Sequence, residues 1–308
     1  MRKRRIRASV FVCVYILFLL LMDYPYLSRL YNDIISGEVI ASFSVSEESA
    51  DCANRLLWAE SYNRYLAGEG VCPELNPAWT KTPSDSRIPE PVLPGSFTSL
   101  EAGKTGTEGN RKEWMSAARV LCLEDSDLAG WIRIPSLDLI LPLFIGTQED
   151  ALGKGAGILE GGSLPTGGES THACISAHRG LPDRTLFTNL DMLRSKDLIE
   201  VHTLDRTICY EIFGSETVRP SDTKALAIRP GQDLLTLITC TPYGINTHRL
   251  YVHARRCAPA PRDGARTPGA DRWFRKLTDP VFWKLWWWVP ATAILLLFLI
   301  LLVRRSLR

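Results

Sequence analysis

"TLITCTPYGINTHRLYVHARR", Thr236 to Arg256, decides how the chain is read. A β-like run, "TLITC", ends in Cys240, and a second, "RLYVHAR", opens on Arg249. Between them lie Pro, Gly and Asn, which break strands and favour turns. If the two runs are antiparallel neighbours, the 241–248 loop brings Cys240 and Arg249 to one end of a sheet. A thiol there needs a base, because the thiolate is the nucleophile and a free thiol is mostly protonated at neutral pH. An arginine beside it offers positive charge and donors for a developing oxyanion.

Five histidines compete for the role of partner. His172, His202 and His253 fall inside strand-like runs and read as ordinary sheet residues. His248 lies in the loop itself. His178 ends the run "THACISAH" and opens "RGLPDR", a Gly/Pro loop, where a side chain can reach a cleft. Spacing alone makes His178 a candidate, and leaves Cys240 equally readable as a small buried apolar residue.

Outward from this stretch, the 114–257 region holds short, turn-bounded apolar runs rich in β-branched residues. They include "GWIRIPSLDLILPLFIG", "DLIEVHTL" and "TICYEIFGSETV". This is the pattern of an all-β sandwich or barrel. "TLFTNLDMLR", 185–194, reads as a helix within it. Upstream, residues 49–67 read as an amphipathic helix with Leu56, Leu57, Ala59 and Tyr62 facing a core. Thr80–Arg111 and Ala258–Arg272 are rich in Pro, Gly and polar residues and read as linkers.

Both ends of the chain pair an apolar run with a basic cluster. "ASVFVCVYILFLLLM", Ala8 to Met22, follows "MRKRR", and no small-x-small cleavage site follows it, so it reads as an uncleaved anchor. "LWWWVPATAILLLFLILLV", Leu285 to Val303, has 19 uncharged residues, enough to span a bilayer as a helix. Three tryptophans mark its entrance and Arg304, Arg305 and Arg308 follow it. The positive-inside rule then sets both termini in the cytoplasm and roughly 23–283 outside. The expected organisation is an anchor (1–22), a helical and linker region (23–113), a barrel (114–257), a linker (258–283) and a membrane helix (284–304).

A net charge of +2 gives no case for nucleic-acid binding. Eight cysteines in an outside chain invite a disulfide reading. Cys52 and Cys72, flanking the upstream helix, form the candidate pair; Cys13 and Cys257 are set aside. Cys174 and Cys209 read as buried sheet residues, and no spacing matches a zinc site.

"TLITCTPYGINTHRL" resembles the signature of the sortases, cysteine transpeptidases of the Gram-positive cell surface. "HACISAHRGLP" (172–182) resembles the segment carrying the family's catalytic histidine, which falls on His178. "TPYGINTHRL", "GILEGGSLPTGG" (157–168) and "LFTNLDMLRSKD" (186–197) resemble class C, the pilin polymerases, as does the apolar C-terminal run.

The resemblance implies a closed eight-stranded β-barrel and no metal or other cofactor. It implies that Cys240 attacks the Thr–Gly carbonyl of an LPxTG-like sorting signal on a pilin. His178 serves as proton donor and Arg249 stabilises the oxyanion. A lysine amine of the next pilin then takes the thioacyl group. Alternatives remain a sortase that uses a peptidoglycan amine, and a non-enzymatic, membrane-tethered scaffold. A papain-like hydrolase fits poorly, because the Cys-before-His order of those chains is reversed here.

Class C members also resemble one another in a lid with an Asp-Pro-aromatic core. After "SYNRYLAG" (61–68), this chain offers "LNPAWT" (75–80), where Asn76, Pro77 and Trp79 stand nearest that pattern. Asn76 lacks the charge of Asp, so a bond from it to Arg249 is not charge-assisted. If Trp79 belongs to a lid that gates access, Trp79→Ala raises the rate at which a thiol reagent labels Cys240; unchanged labelling kinetics would refute a lid at this position.

Overall fold

The computed structural model describes residues 31–43, 51–76, 79, 108–123 and 126–258, with isolated positions at 24, 28 and 29. The chain divides into two compact units, and everything below concerns the one spanning Ile35–Arg266. Both apolar terminal runs, Pro77 and the 258–283 linker beyond Ala258 lie outside the described residues. Among those described, no helix is long and apolar enough to cross a membrane.

Among the described residues of this unit, four helices occur in chain order: α1 (35–43), α2 (Cys52–Leu66), α3 (Glu108–Ala118) and the single turn α4 (Glu149–Leu152). Eight strands follow or interleave with them: β1 (Leu128–Ile134), β2 (Leu139–Ile145), β3 (Ala156–Ile158), β4 (Thr171–Ser176), β5 (Leu198–Thr203), β6 (Arg206–Val218), β7 (Asp233–Thr241) and β8 (His248–Arg256). They close into a barrel in the order β1-β2-β3-β4-β7-β8-β6-β5. Two neighbour pairs, β2–β3 and β4–β7, are parallel and the rest antiparallel. Closure leaves no open sheet edge to pair with another chain. β1 bridges β2 and β5, and its bulge falls at Gly130, whose φ of 150° and contact with the His202 carbonyl leave no room for a Cβ.

Strand alternation assigns two cores. Leu235, Leu237, Leu250, Val252 and Ala254 point into the barrel with Ile132, Ile134, Leu143, Ile158 and Ile175. Their alternates Ile238, Tyr251 and Cys174 point outward and pack with Leu159 and Leu226 in a satellite cluster. The β6–β7 connection covers this outer face, and Tyr251 donates to the Asp222 carbonyl oxygen at 3.3 Å.

α2 and α3 share the barrel's main core, through Leu56, Ala59, Tyr62, Trp114 and Ala118. Buried Asn63 ties α2 to the β3–β4 loop, donating to the Leu164 carbonyl (2.9 Å) and Thr166 (3.0 Å) and accepting from the Leu164 amide (2.7 Å). At the end of the barrel where β7 begins, Asp233 accepts from Tyr210 (3.0 Å), Arg256 (3.0 Å), the Gly168 amide (2.8 Å) and Thr171 (3.2 Å).

Several expectations need correction. Leu57 is 62% exposed, because it falls on the solvent side of α2, opposite Leu56, Ala59 and Tyr62. Residues 185–194 form turns and one short 3-10 segment, Leu190–Met192, instead of a helix. Leu186 takes a positive φ of 40°, and the Phe187 amide is drawn to the His178 carbonyl oxygen, which stops helical bonding. Cys52 and Cys72 are not bonded to each other: Cys52 is buried and Cys72 is exposed. Cys257, set aside in the sequence, instead has its sulfur 3.0 Å from that of Cys209. β3 went unread as a strand because it has only three residues, one of them Gly157.

The outer face also carries a polar chain through β4, β7, β8 and β6. His172 Nδ1 donates to the Ala227 carbonyl oxygen at 3.0 Å, and its Nε2 lies 2.7 Å from Thr236 Oγ1. Thr236 Oγ1 is 2.8 Å from His253 Nδ1, and His253 Nε2 is 3.1 Å from Glu216. Burial pushes the His172 imidazole down to about 4, from an ordinary value near 6.5. Between those two values the unfolded chain binds a proton that the folded chain does not, so stability is lost as pH falls. We expect denaturant unfolding to show a loss of at most about 3 kcal/mol from this residue between pH 6.5 and 4. In His172→Gln the pH slope in that window should be shallower.

Candidate functional site

Register brings the three predicted residues together. β7 and β8 pair so that Cys240 stands directly opposite Arg249, and opposite residues of an antiparallel pair share a face. β4 and β7 pair in parallel, with Cys174 opposite Thr236 and Ser176 opposite Ile238. The Ala177 amide continues this ladder to the Ile238 carbonyl oxygen at 3.2 Å. Two residues beyond Ser176 and Ile238 come His178 and Cys240. Cys240 and Arg249 therefore face each other on the outer face at the end away from Asp233, and continued alternation sets His178, two residues past the end of β4, on the same side. Strand spacing of about 4.8 Å sets the pitch of that row.

The strands reach further than their sequence suggested. β7 ends at Thr241 and β8 begins at His248, so the connecting loop is 242–247. Positive φ at Gly244 (75°) and Asn246 (60°) turns the chain back within these six residues.

Exposure differs along the row. Cys240 and His178 are half-buried, whereas Arg249 is 5% exposed. The Arg249 guanidinium donates through Nη1 to the carbonyl oxygens of Asn246 (3.2 Å) and His248 (3.1 Å), so it is held by its own loop. His178 Nε2 lies 3.4 Å from Glu149 Oε1 on α4, an approach that becomes an ion pair when the ring is protonated. The satellite cluster, including Ile238 and Tyr251, adjoins the row on the same face and is buried beneath the β6–β7 connection.

Arg179, which sequence reasoning passed over, joins the histidine loop to the cysteine loop. Its Nη2 donates to Asp191 at 2.6 Å and its Nη1 to Thr241 Oγ1 at 3.4 Å. Its guanidinium also lies 5.9 Å from the centre of the Tyr243 ring, within cation–π range. Gly180 follows with φ 85° and lies under the same ring, where a Cβ would meet Tyr243 at 3.2 Å. "HRG" was the available signal: a cation and a glycine next to the candidate histidine.

Of the expected lid, Asn76 is exposed and accepts from the Trp79 amide at 3.0 Å. The Trp79 ring packs against the main core with the Arg55 guanidinium 5.6 Å from its centre. Trp58 anchors the segment just before it, donating to the Glu74 carbonyl oxygen at 2.9 Å.

The barrel and this row define a β-barrel protein with a thiol flanked by an imidazole and a guanidinium. Comparison with known proteins gives the class a name. The sortase domain model matches residues 132–257. Sortase A of Streptococcus agalactiae serotype III (strain NEM316) is 30% identical over 128 residues, 41% of this chain and 51% of that protein. The chain thus spans about half the length of that curated relative. Among solved structures, sortase C of Streptococcus pneumoniae is 35% identical with a TM-score of 0.54, over 73% of this chain and 99% of that one. Sortase C1 of Streptococcus agalactiae is 31% identical with a TM-score of 0.58, over 72% and 100%. The chain belongs to the sortase family, and these structural neighbours are class C members.

The Arg179 bridge has a local signature. In Arg179→Ala, hydrogen–deuterium exchange should rise roughly thirtyfold in 178–188 and 242–247, the equivalent of about 2 kcal/mol of lost charged hydrogen bonding. Exchange in β6 should stay unchanged.

Proposed function

We propose that this protein is a pilin-polymerising cysteine transpeptidase with Cys240 as its nucleophile. The observation that carries the reading is the opposition of Cys240 and Arg249 on β7 and β8, with His178 two residues past the end of the neighbouring β4. The class C neighbours support it, among them the pneumococcal enzyme, whose structure bears on pilin substrate specificity.

The chemistry follows from the positions. An extended LPxTG-like segment lies on the outer face at the rim, beyond the cluster that the β6–β7 connection covers. The Cys240 thiolate attacks the Thr carbonyl carbon, and the carbonyl oxygen gains negative charge. Arg249 is already desolvated, and its charge acts on that oxygen in a low dielectric with little reorganisation. His178 donates its proton to the departing glycine amine, leaving a thioacyl enzyme. A lysine amine of the next pilin attacks the thioester and gives up a proton to His178, forming an isopeptide bond and regenerating the Cys240 thiolate beside a protonated His178. Arg179 keeps the two loops in step without touching substrate. We further place the barrel on the outer face of the cell membrane, between the two apolar terminal runs, where pilins and their sorting signals would meet it.

The test is incubation of the purified chain with a pilin bearing an LPxTG-like signal. A ladder of high-mass products and a thioacyl adduct on Cys240 are expected; both should vanish in Cys240→Ala. Arg249→Lys keeps the charge but loses the planar fork, and should lower kcat by at least about tenfold. A ladder that persists in Cys240→Ala would sink the proposal. If an LPxTG peptide leaves no adduct on Cys240 while the barrel remains folded, the scaffold reading takes its place.

A further inference from the structure

We propose that Cys209 and Cys257 form a disulfide that staples the end of β8 to β6. The inference rests on the reading that the barrel lies outside the membrane, where disulfides persist. β6 and β8 are antiparallel, with Tyr210 opposite Arg256. Cys209 and Cys257 are the next opposed pair, and the Cys257 amide donates to the Cys209 carbonyl oxygen at 3.0 Å. Opposed residues of such a ladder have Cα atoms about 4.5–5.5 Å apart, inside the range a disulfide spans. The two sulfurs already lie 3.0 Å apart. Oxidation requires the sulfurs to close from 3.0 Å to a bond of about 2.05 Å.

The pair is built into the base of the barrel. Tyr210 and Arg256, its immediate neighbours, both bind Asp233. Cys209 is 7% exposed, while Cys257 is half-buried and reachable. The bond would close a covalent loop from 209 to 257 that contains β7, β8, Cys240 and Arg249. It would also fix the last residue before the 258–283 linker to a second strand. A pull along that linker would then be shared by β6 instead of peeling β8 away.

The chemistry requires an oxidant of the disulfide class, such as an extracytoplasmic thiol–disulfide oxidoreductase. The Cys257 thiolate attacks the oxidant's disulfide and expels one thiolate, giving a mixed disulfide. The Cys209 thiol loses its proton and attacks Cys257 Sγ, expelling the second. Two cysteine thiols have lost two electrons and two protons, and the oxidant has become two thiols. Burial and the neighbouring Cys209 push the Cys257 thiol up to about 12, so the first step is slow without a catalyst.

The test uses the full chain taken from the cell envelope, alkylated before reduction, digested and mapped by mass. A Cys209–Cys257 linked peptide, two hydrogens lighter than the separate pair, supports the proposal, with Cys240 alkylated in the same sample. As a second arm, reduced protein is treated with glutathione disulfide. If both cysteines remain alkylatable after that treatment, the staple is overturned on its geometry. If they link in vitro but are free in the envelope sample, it is overturned as a native bond, and the fault lies with the outside placement. Cys257→Ser should lower Tm by roughly 5–15 °C, to the value of the reduced wild type; equal Tm values for oxidised wild type and variant would also overturn it.

Discussion

The ladder that joins β4, β7 and β8 is the constraint on which the site depends. One side of β7 is bonded in parallel to β4 and the other antiparallel to β8. That arrangement gives three functional groups from three distant segments a common edge and a common face. No side-chain contact among them is needed to hold the row; backbone bonding supplies the positions. The closed barrel makes the ladder stiff, because neither β4 nor β8 is free to slide along an open edge.

The two ends of the barrel are built differently. At the base, Asp233 gathers Tyr210, Arg256, Thr171 and the Gly168 amide, and Asn63 ties α2 to the neighbouring loop. At the rim, the loops after β4 and β7 meet through single polar bridges and one exposed tyrosine. Stability is concentrated where nothing is proposed to react, and the loops that would admit substrate are held by few contacts. The half-exposed state of Cys240 and His178 beside the buried Arg249 fits this division.

Much of this was legible in the letters. "TLITC" and "RLYVHAR" alternate clearly enough to give strands, and Gly and Pro mark the turns, so the class of fold and the Cys240–Arg249 pairing could be read. His178 stood out as a candidate from its place at a strand end. The family resemblance then supplied barrel closure, which no local pattern encodes. Other features resisted because their causes are tertiary. Leu57 looks as apolar as Leu56, and only docking of α2 decides which is covered. "TLFTNLDMLR" has helical composition, but the His178 carbonyl oxygen claims the Phe187 amide. Arg179 is chemically plain in sequence; its role exists only because Thr241 and Asp191 converge on it. Cys257 stands beside a linker in the sequence, and its partner is named only by the β6–β8 register.

That β7 is covered on both faces has a further consequence. Alternation fixes the register of a half-buried strand, because a slip of one residue would turn its apolar side to water. In β7 Leu234, Leu235, Leu237 and Ile238 are all buried, so a slipped strand would still meet apolar surroundings. Polar groups must act as its registration marks. Thr236 fits between two imidazoles, Thr239 donates to the Ala177 carbonyl oxygen at 2.9 Å, and Asp233 engages four donors at the base. The threonines of "TLITC" thus serve as the index by which the thiol finds its place, while the leucines around them supply adhesion that carries no positional information.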